Sequence, residues 1–430
     1  MPLKLNSSDK NFTKDFENLL KVGTNISGDV SETVTNIIMD VKTRGDEALF
    51  ELSKKFDGVN LTPKNIRFST QEIKAAKNET SKEVLEALEF AYERIFSHHK
   101  RQLPKDDIYE DNIGVTLGSK WSAIQSAGLY VPGGLASYPS SVLMNAIPAK
   151  VAGVKRLAMV VPTPNGEVNP AVLAAANIAG IDEIYKIGGA QAISALAFGT
   201  KNISAVNKIV GPGNAFVAEA KRQVFGIVGI DMIAGPSEIL VICDESANPT
   251  WVATDLLAQA EHGSNAQSIA FCTSEKLAQE IENEVKRILK TLPNPKNAKE
   301  GWEKFGTIII VQNLNEAFEL SNQLAPEHLE LALDNAKQYL PKIINAGAVF
   351  LGHHTPEAIG DYVGGSNHVL PTARSARFAS GLSVLDFMKR TSILGCDANS
   401  LSQLAKPTID LAKTEGLDAH ALSVSIRQNR

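Results

Sequence analysis

Two kinds of apolar pattern divide the chain. From Ser31 to Pro104, apolar residues recur at spacings of three and four, the period of helices that bury one face. Within "TSKEVLEALEFAYERIFSHHK", Thr80 and Glu83 stand at capping-box spacing. Val84, Leu88, Ala91, Ile95 and His99 then share one face, so His99 is expected as a packed or bridging histidine rather than a ligand. From about Ala123, short apolar runs take over. "AGLYVP", "RLAMVVP", "EIYKIG" and "NKIVGP" read as strands, with helices beginning near Ser141, Asn169 and Ala190. A second series follows in "EILVIC", "SIAFCT", "GTIIIV", "LELAL" and "GAVFL". Strands alternating with helices predict an α/β fold with parallel sheets covered on both faces. Two series predict two doubly wound domains, although no strong internal repeat links them. Residues 1–24 read as a short helical arm and 379–430 as a small helical unit. After Leu351 comes "GHHTPEAIGDYVGGSNHVLPTARSARFASG", which has neither period and runs into the start of that unit. A stretch of that length inside a compact domain is expected to be functional or disordered.

Composition narrows the picture. At 430 residues the chain is too long for one ordinary core. The net charge is −5 and no long Lys/Arg run occurs, which argues against a nucleic-acid surface. "HHKRQLPK" ends a helix and reads as a solvated helix terminus. The three cysteines, Cys243, Cys272 and Cys396, give neither a disulfide framework nor a thiolate metal site. The N-terminus lacks the apolar core of a signal peptide, and no apolar run reaches the roughly 18 residues of a membrane span. A cytoplasmic protein without a membrane segment is expected.

The chemistry-bearing residues fall into five stretches, each with a plain alternative. In "DLLAQAEHGSNAQS", Gln259 and His262 share a helix face and could ligate a metal, but a histidine at a helix C-terminus is favourable without one. In "LAPEHLEL", adjacent Glu327 and His328 precede a strand and could serve two different proton transfers, or be a surface Glu beside a half-buried His. Asp361 and His368 in "IGDYVGGSNHVLP" could hold a metal where glycines allow close approach, or Asp361 could simply be a turn residue. Glu415 and His420 in "KTEGLDAHALS" could be functional, or part of a helix–turn–helix capped by Gly416 with Asp418 opening the next helix. Finally, "YVPGG", "IGGAQAI" and "VGPGNAFVAEA" place glycines between strands and helix starts, where phosphates can bind, but none fits G-x-G-x-x-G.

Taken in order, "GLYVPGG", "KIGGAQAI", "VGPGN", "DMIAGPSEILV", "DLLAQAEHG", "LAPEHLEL", "GDYVGGSNHVLPT" and "EGLDAHALS" make the chain resemble histidinol dehydrogenase along essentially its whole length. The resemblance implies two incomplete Rossmann-like domains. One comprises 25–127 with 237–378 and carries most of the zinc and catalytic site; the other, 128–236, binds NAD. It further implies an intertwined homodimer whose C-terminal unit, 379–430, reaches the partner's site. It implies one zinc ion per subunit, held by Gln259, His262, Asp361 and His420. An O/N donor set of that kind suits zinc, while manganese or cobalt could also occupy it. The implied reaction is the oxidation of L-histidinol to L-histidine through histidinal, with two NAD reduced in turn. His328 is the implied acid–base residue and Glu327 the one that activates water. Ser237, His368 and Glu415 match further substrate contacts; Tyr130, Gln191 and Asn214 match positions that contact NAD. Rival readings are a zinc-dependent hydrolase, a related dehydrogenase acting on another amino alcohol or sulfonate, and a zinc-stabilised binding protein without turnover.

Overall fold

The computed structural model describes residues 2–22, 30–133, 138–181, 183–263 and 265–428. The chain opens with β1 (Leu3–Asn6) and α1 (Phe12–Lys21), then four helices: α2 (Ser31–Arg44), α3 (Asp46–Asp57), α4 (Thr70–Glu79) and α5 (Lys82–Lys100). β2 (Asp107–Glu110) and β3 (Thr116–Ala123) lead into β4 (Ser126–Tyr130), α6 (Pro139–Ala152), β5 (Arg156–Val160), α7 (Pro170–Ile178), β6 (Glu183–Tyr185), α8 (Gly189–Phe198), β7 (Lys208–Val210), α9 (Ala215–Val224) and β8 (Gly229–Ile230). The second series runs β9 (Glu238–Cys243), α10 (Pro249–Ala260), β10 (Gln267–Cys272), α11 (Glu275–Ile288), α12 (Lys296–Phe305), β11 (Gly306–Ile310), α13 (Leu314–Leu324), β12 (His328–Ala332) and β13 (Ala348–Leu351). α14 (Glu357–Tyr362), β14 (Met388–Gly395), α15 (Ala398–Thr414) and α16 (Asp418–Ser425) complete the chain.

The expected α/β architecture is present. A five-stranded parallel sheet has the order β6-β5-β4-β7-β8, and a six-stranded parallel sheet the order β1-β11-β10-β9-β12-β13. All nine strands expected from the apolar runs occur, because a strand covered on both faces reads as continuous apolar sequence.

Two expectations change, and one packing feature stands beside them. Residues 1–24 are not only a helical arm: β1 joins the edge of the six-stranded sheet beside β11, and Phe12, Phe16 and Leu19 of α1 lie in that sheet's core. At ~1.5–3 kcal/mol for each large apolar side chain buried, these three anchors outweigh the pull of a mobile terminus. Helices α2, α3 and α5 pack on the five-stranded sheet. Val34, Ile37, Val41 and Leu49 of α2 and α3 join Val160 and Ile193 on one face, and Leu88, Ala91 and Ile95 of α5 join Leu129 and Leu143 on the other. The segment 379–430 is not purely helical, since β14 pairs antiparallel with β3, which also pairs with β2.

Two local details also differ. The cap of α5 is Ser81, whose hydroxyl accepts from Val84 N–H, while Thr80 bonds back to the Ala76 carbonyl at the end of α4. Val84 is consequently turned out, whereas Leu88, Ala91, Ile95 and His99 are buried as expected. His99 is satisfied by the Ile95 carbonyl at 2.8 Å and the Asn367 amide at 3.3 Å, which confirms a bridging role.

Candidate active site

The long aperiodic stretch is ordered and wraps one side of a cavity. Arg94 on α5 donates through Nε to the Val363 carbonyl at 2.6 Å, and Asn367 donates to the Met144 carbonyl at 2.7 Å. Part of the stretch is helical, so Asp361 sits on α14 rather than on a loop.

The cavity measures about 770 Å³ and lies where the two sheets meet. Gly213 and Asn214, after β7, and Asp231, after β8, contribute from the C-terminal edge of the five-stranded sheet. Ser237, Glu327 and His328 contribute from the N-terminal edge of the six-stranded sheet, beside Gln259 at the end of α10.

One residue at the start of β9 orients the central pair. The carbonyl of Glu238 lies 2.9 Å from His328 Nδ1, and its N–H donates to Glu327 Oε2 at 2.9 Å. A carbonyl can only accept, so His328 carries its proton on Nδ1 and leaves Nε2 bare. Among the described residues, that buried Nε2 has no hydrogen-bond partner. Burial pushes His328 down to about 4, so the ring is neutral near pH 7. Burial also pushes the Glu327 carboxyl well above the ordinary range.

Gln259 is fully buried, yet among the described residues neither its amide oxygen nor its nitrogen has a partner. Leaving such a group unpaired costs ~1–3 kcal/mol, which points to a bound species that completes it. His262, one turn on, donates from Nδ1 to the Ala258 carbonyl at 3.1 Å and turns Nε2 toward Asp361 Oδ2 at 3.6 Å. Asp361 raises His262 to about 9. Burial works to raise Asp361 itself, but His262, His368 and His328 around it prevail and hold it below its usual value. His368 donates from Nδ1 to the Asp361 carbonyl at 2.9 Å, so its Nε2, 3.2 Å away, accepts from the Ser141 hydroxyl.

One residue of this wall was not singled out in the sequence. Glu357 opens α14, is buried, and places Oε1 at 3.6 Å from His328 Nε2. Burial, reinforced by Asp361, raises it to about 8. His328, Glu357 and Asp361 each bring a donor atom within 4.8 Å of the others, a second grouping able to surround a cation. Its spacing of four from Asp361, on one helix face, was the available signal.

The expected residues are not all together. Ser237, Gln259, His262, Glu327, His328, Asp361, His368 and Asn214 line the cavity. Tyr130 and Gln191 are buried behind that wall, where the Tyr130 hydroxyl accepts from Gly189 N–H at 3.1 Å and ties the end of β4 to α8. Glu415 and His420 are exposed at the α15–α16 junction, the helix–turn–helix anticipated at Gly416, and do not line this chain's cavity.

A family model describing histidinol dehydrogenase matches residues 21–428. The chain belongs to the histidinol dehydrogenase family. A histidinol dehydrogenase of Agrobacterium fabrum is 59% identical over 429 residues, covering 100% of this chain and 99% of the relative. One of Rhizobium meliloti is 57% identical over 429 residues, with the same coverage. The crystal structure of histidinol dehydrogenase from Elizabethkingia anophelis superposes with a TM-score of 0.94 at 38% identity, covering 99% of this chain and 98% of that one. Membership in the histidinol dehydrogenase family makes the chain an oxidoreductase that oxidises histidinol in histidine biosynthesis. Among the described residues, no helix is long and apolar enough to cross a membrane.

Proposed function

We propose that this chain oxidises L-histidinol to L-histidine through histidinal in one cavity, using two NAD in turn, in the cytoplasm. The observation that carries the reading is the bare, unpartnered Nε2 of a neutral His328 at the cavity wall. A base so placed can take the alcohol proton when hydride leaves the adjacent carbon, and can act again on the aldehyde hydrate. Glu327 is the group for drawing a proton from water to make that hydrate, since burial strengthens it as a base once ionised. Bound NAD would supply the hydride acceptor for both steps. The glycine turn before α9, with Asn214 in the cavity wall and Tyr130 and Gln191 behind it, supports the NAD side.

The residues fit a zinc ion. Among the described residues, Gln259 offers a buried, unpaired amide, and His262 and Asp361 stand beside it in a lining without cysteine. Gln259, His262 and Asp361 would hold the metal together with His420 of the partner subunit. The metal would supply Lewis-acid positioning of the substrate's nitrogen donors. Glu415 of the partner subunit would reach the same site and could pair with the substrate ammonium group. Support for an intertwined homodimer comes from the C-terminal unit, where Leu394, Leu411, Leu422 and Ile426 are exposed around β14, α15 and α16. Ser237 and His368 complete the substrate wall.

The grouping of His328, Glu357 and Asp361 offers a second placement for the metal. His328→Ala tests both placements. It should retain zinc by elemental analysis while losing oxidation of histidinol. Loss of the metal with the imidazole would move His328 from base to ligand, and near-normal turnover would remove it from the chemistry.

A further inference from the structure

A buried ion pair, one member of which reaches the cavity wall, stands at the NAD side of the cavity. Lys221 on α9 and Asp231 after β8 are paired, with side chains 2% and 1% exposed. Both also hold the same glycine. Gly211 N–H donates to Asp231 Oδ2 at 2.7 Å, and Lys221 Nζ donates to the Gly211 carbonyl at 2.9 Å.

The fold brings the three together for local reasons. β7 and β8 pair with Ile209 opposite Ile230, so the next step places Asp231 beside the turn that leaves β7. Asp231 N–H donates to the Ile209 carbonyl, which continues that register. Helical side chains lean toward the N-terminus of their helix, so Lys221 runs back along α9 to the turn preceding it.

The turn itself has little room to relax. Gly211 has φ +112°, and a Cβ there would stand 2.1 Å from the Tyr130 carbonyl oxygen. A Cβ on Gly213 would stand 2.4 Å from the Val217 side chain. Asn214 caps α9, accepting from Phe216 and Val217 N–H. The Gly211–Gly213 stretch, which has no polar side chain of its own, is thus held at both ends, by the Asn214 cap on one side and by the ion pair on the other.

Two charges taken out of water cost several kcal/mol each unless they are paired and well bonded, so an apolar pair would serve packing as well. What an apolar pair could not do is grip both the N–H and the C=O of Gly211. We infer that Lys221 and Asp231 are positioning residues that fix the Gly211–Asn214 turn for the dinucleotide, leaving the histidinol side of the cavity to other residues. The inference rests on the NAD reading above.

The test uses the metal-loaded full-length enzyme and two variants. Asp231→Asn keeps an oxygen for Gly211 N–H but removes the charge. The double variant Lys221→Met/Asp231→Leu replaces the pair with apolar groups of similar size, so the fold can survive if the single change does not. Displacement of a binding turn by about 1 Å costs on the order of tenfold to a hundredfold. The KM for NAD should therefore rise by that order while the KM for histidinol and the zinc content stay as in the parent. Equal KM values for NAD in parent and variants, with only the Tm lowered, would reduce the pair to a packing feature and overturn the proposal. A parallel rise in both KM values would overturn it too, as general loosening. If the parent enzyme itself failed to reduce NAD, the NAD reading would fall first, and the clamp with it.

Discussion

The two parallel sheets present opposite ends to the cavity, and they work with different materials. The five-stranded sheet offers its C-terminal edge, the usual ligand-binding edge of a doubly wound fold. Its contribution there is mostly backbone: glycine turns, helix starts and the cap at Asn214. The six-stranded sheet offers its N-terminal edge, and its contribution is side chains. His328 and Glu238 are the first residues of their strands, Glu327 precedes one, and Gln259 closes the helix that leads to the neighbouring strand. An edge built of turns can accept a large polar ligand without reacting with it. An edge of buried imidazole and carboxyl groups, with a neutral His328 and raised Glu327 and Glu357, has the chemistry that the proposed proton transfers require.

The comparison breaks most sharply at His328. Removing a positioned base costs about 10²–10⁴-fold in rate, so His328→Ala should lose kcat on that scale with the KM for NAD unchanged in steady-state assays. On the other edge the corresponding change is steric. Gly211→Ala sets a Cβ against the Tyr130 carbonyl at a left-handed φ, and should lower stability by at least the ~1–3 kcal/mol of backbone strain in urea unfolding.

A finer division concerns Glu327. Glu327→Gln should slow the aldehyde-to-acid step more than the alcohol-to-aldehyde step, measured by supplying histidinal or histidinol separately. Equal loss in both would remove water activation from this residue. His420→Ala should lower bound zinc, and mixing its chains with His328→Ala chains should restore activity to one of the two sites. No recovery would place each site within a single chain.

The smallest effect is electrostatic. Burial raises Glu238 to about 7, Asp255 to about 6 and Glu330 to about 9. A carboxyl raised in the folded state gives stability that is complete below its unfolded value and is lost as pH rises through its folded value. The Tm of metal-free protein should therefore fall between about pH 5 and pH 9. Glu330→Gln, which cannot ionise, should flatten that fall.

How much of this was legible in the sequence follows the same divide. The central strands announced themselves because both faces are buried. β2, β3 and β14 did not, since their residues are largely exposed or half-exposed and alternate weakly. β1 has four residues and gains its identity only from β11, some three hundred positions away. Taken singly, Gln259, His262, Glu327 and Asp361 were open to plain readings, and only eight stretches in family order joined them. Lys221 and Asp231 carry no local pattern that distinguishes a buried charge from a surface one, and Glu357 offers only its spacing of four from Asp361. Only packing sets them apart.

The most direct measurement of the central claim is the amount of NADH formed per L-histidinol consumed, before chelation, after it, and after zinc is restored. The account predicts two NADH for each histidinol, loss on chelation and recovery with zinc. One NADH per histidinol, or turnover indifferent to the chelator, would contradict a single metal-assisted cavity that carries the alcohol all the way to the acid.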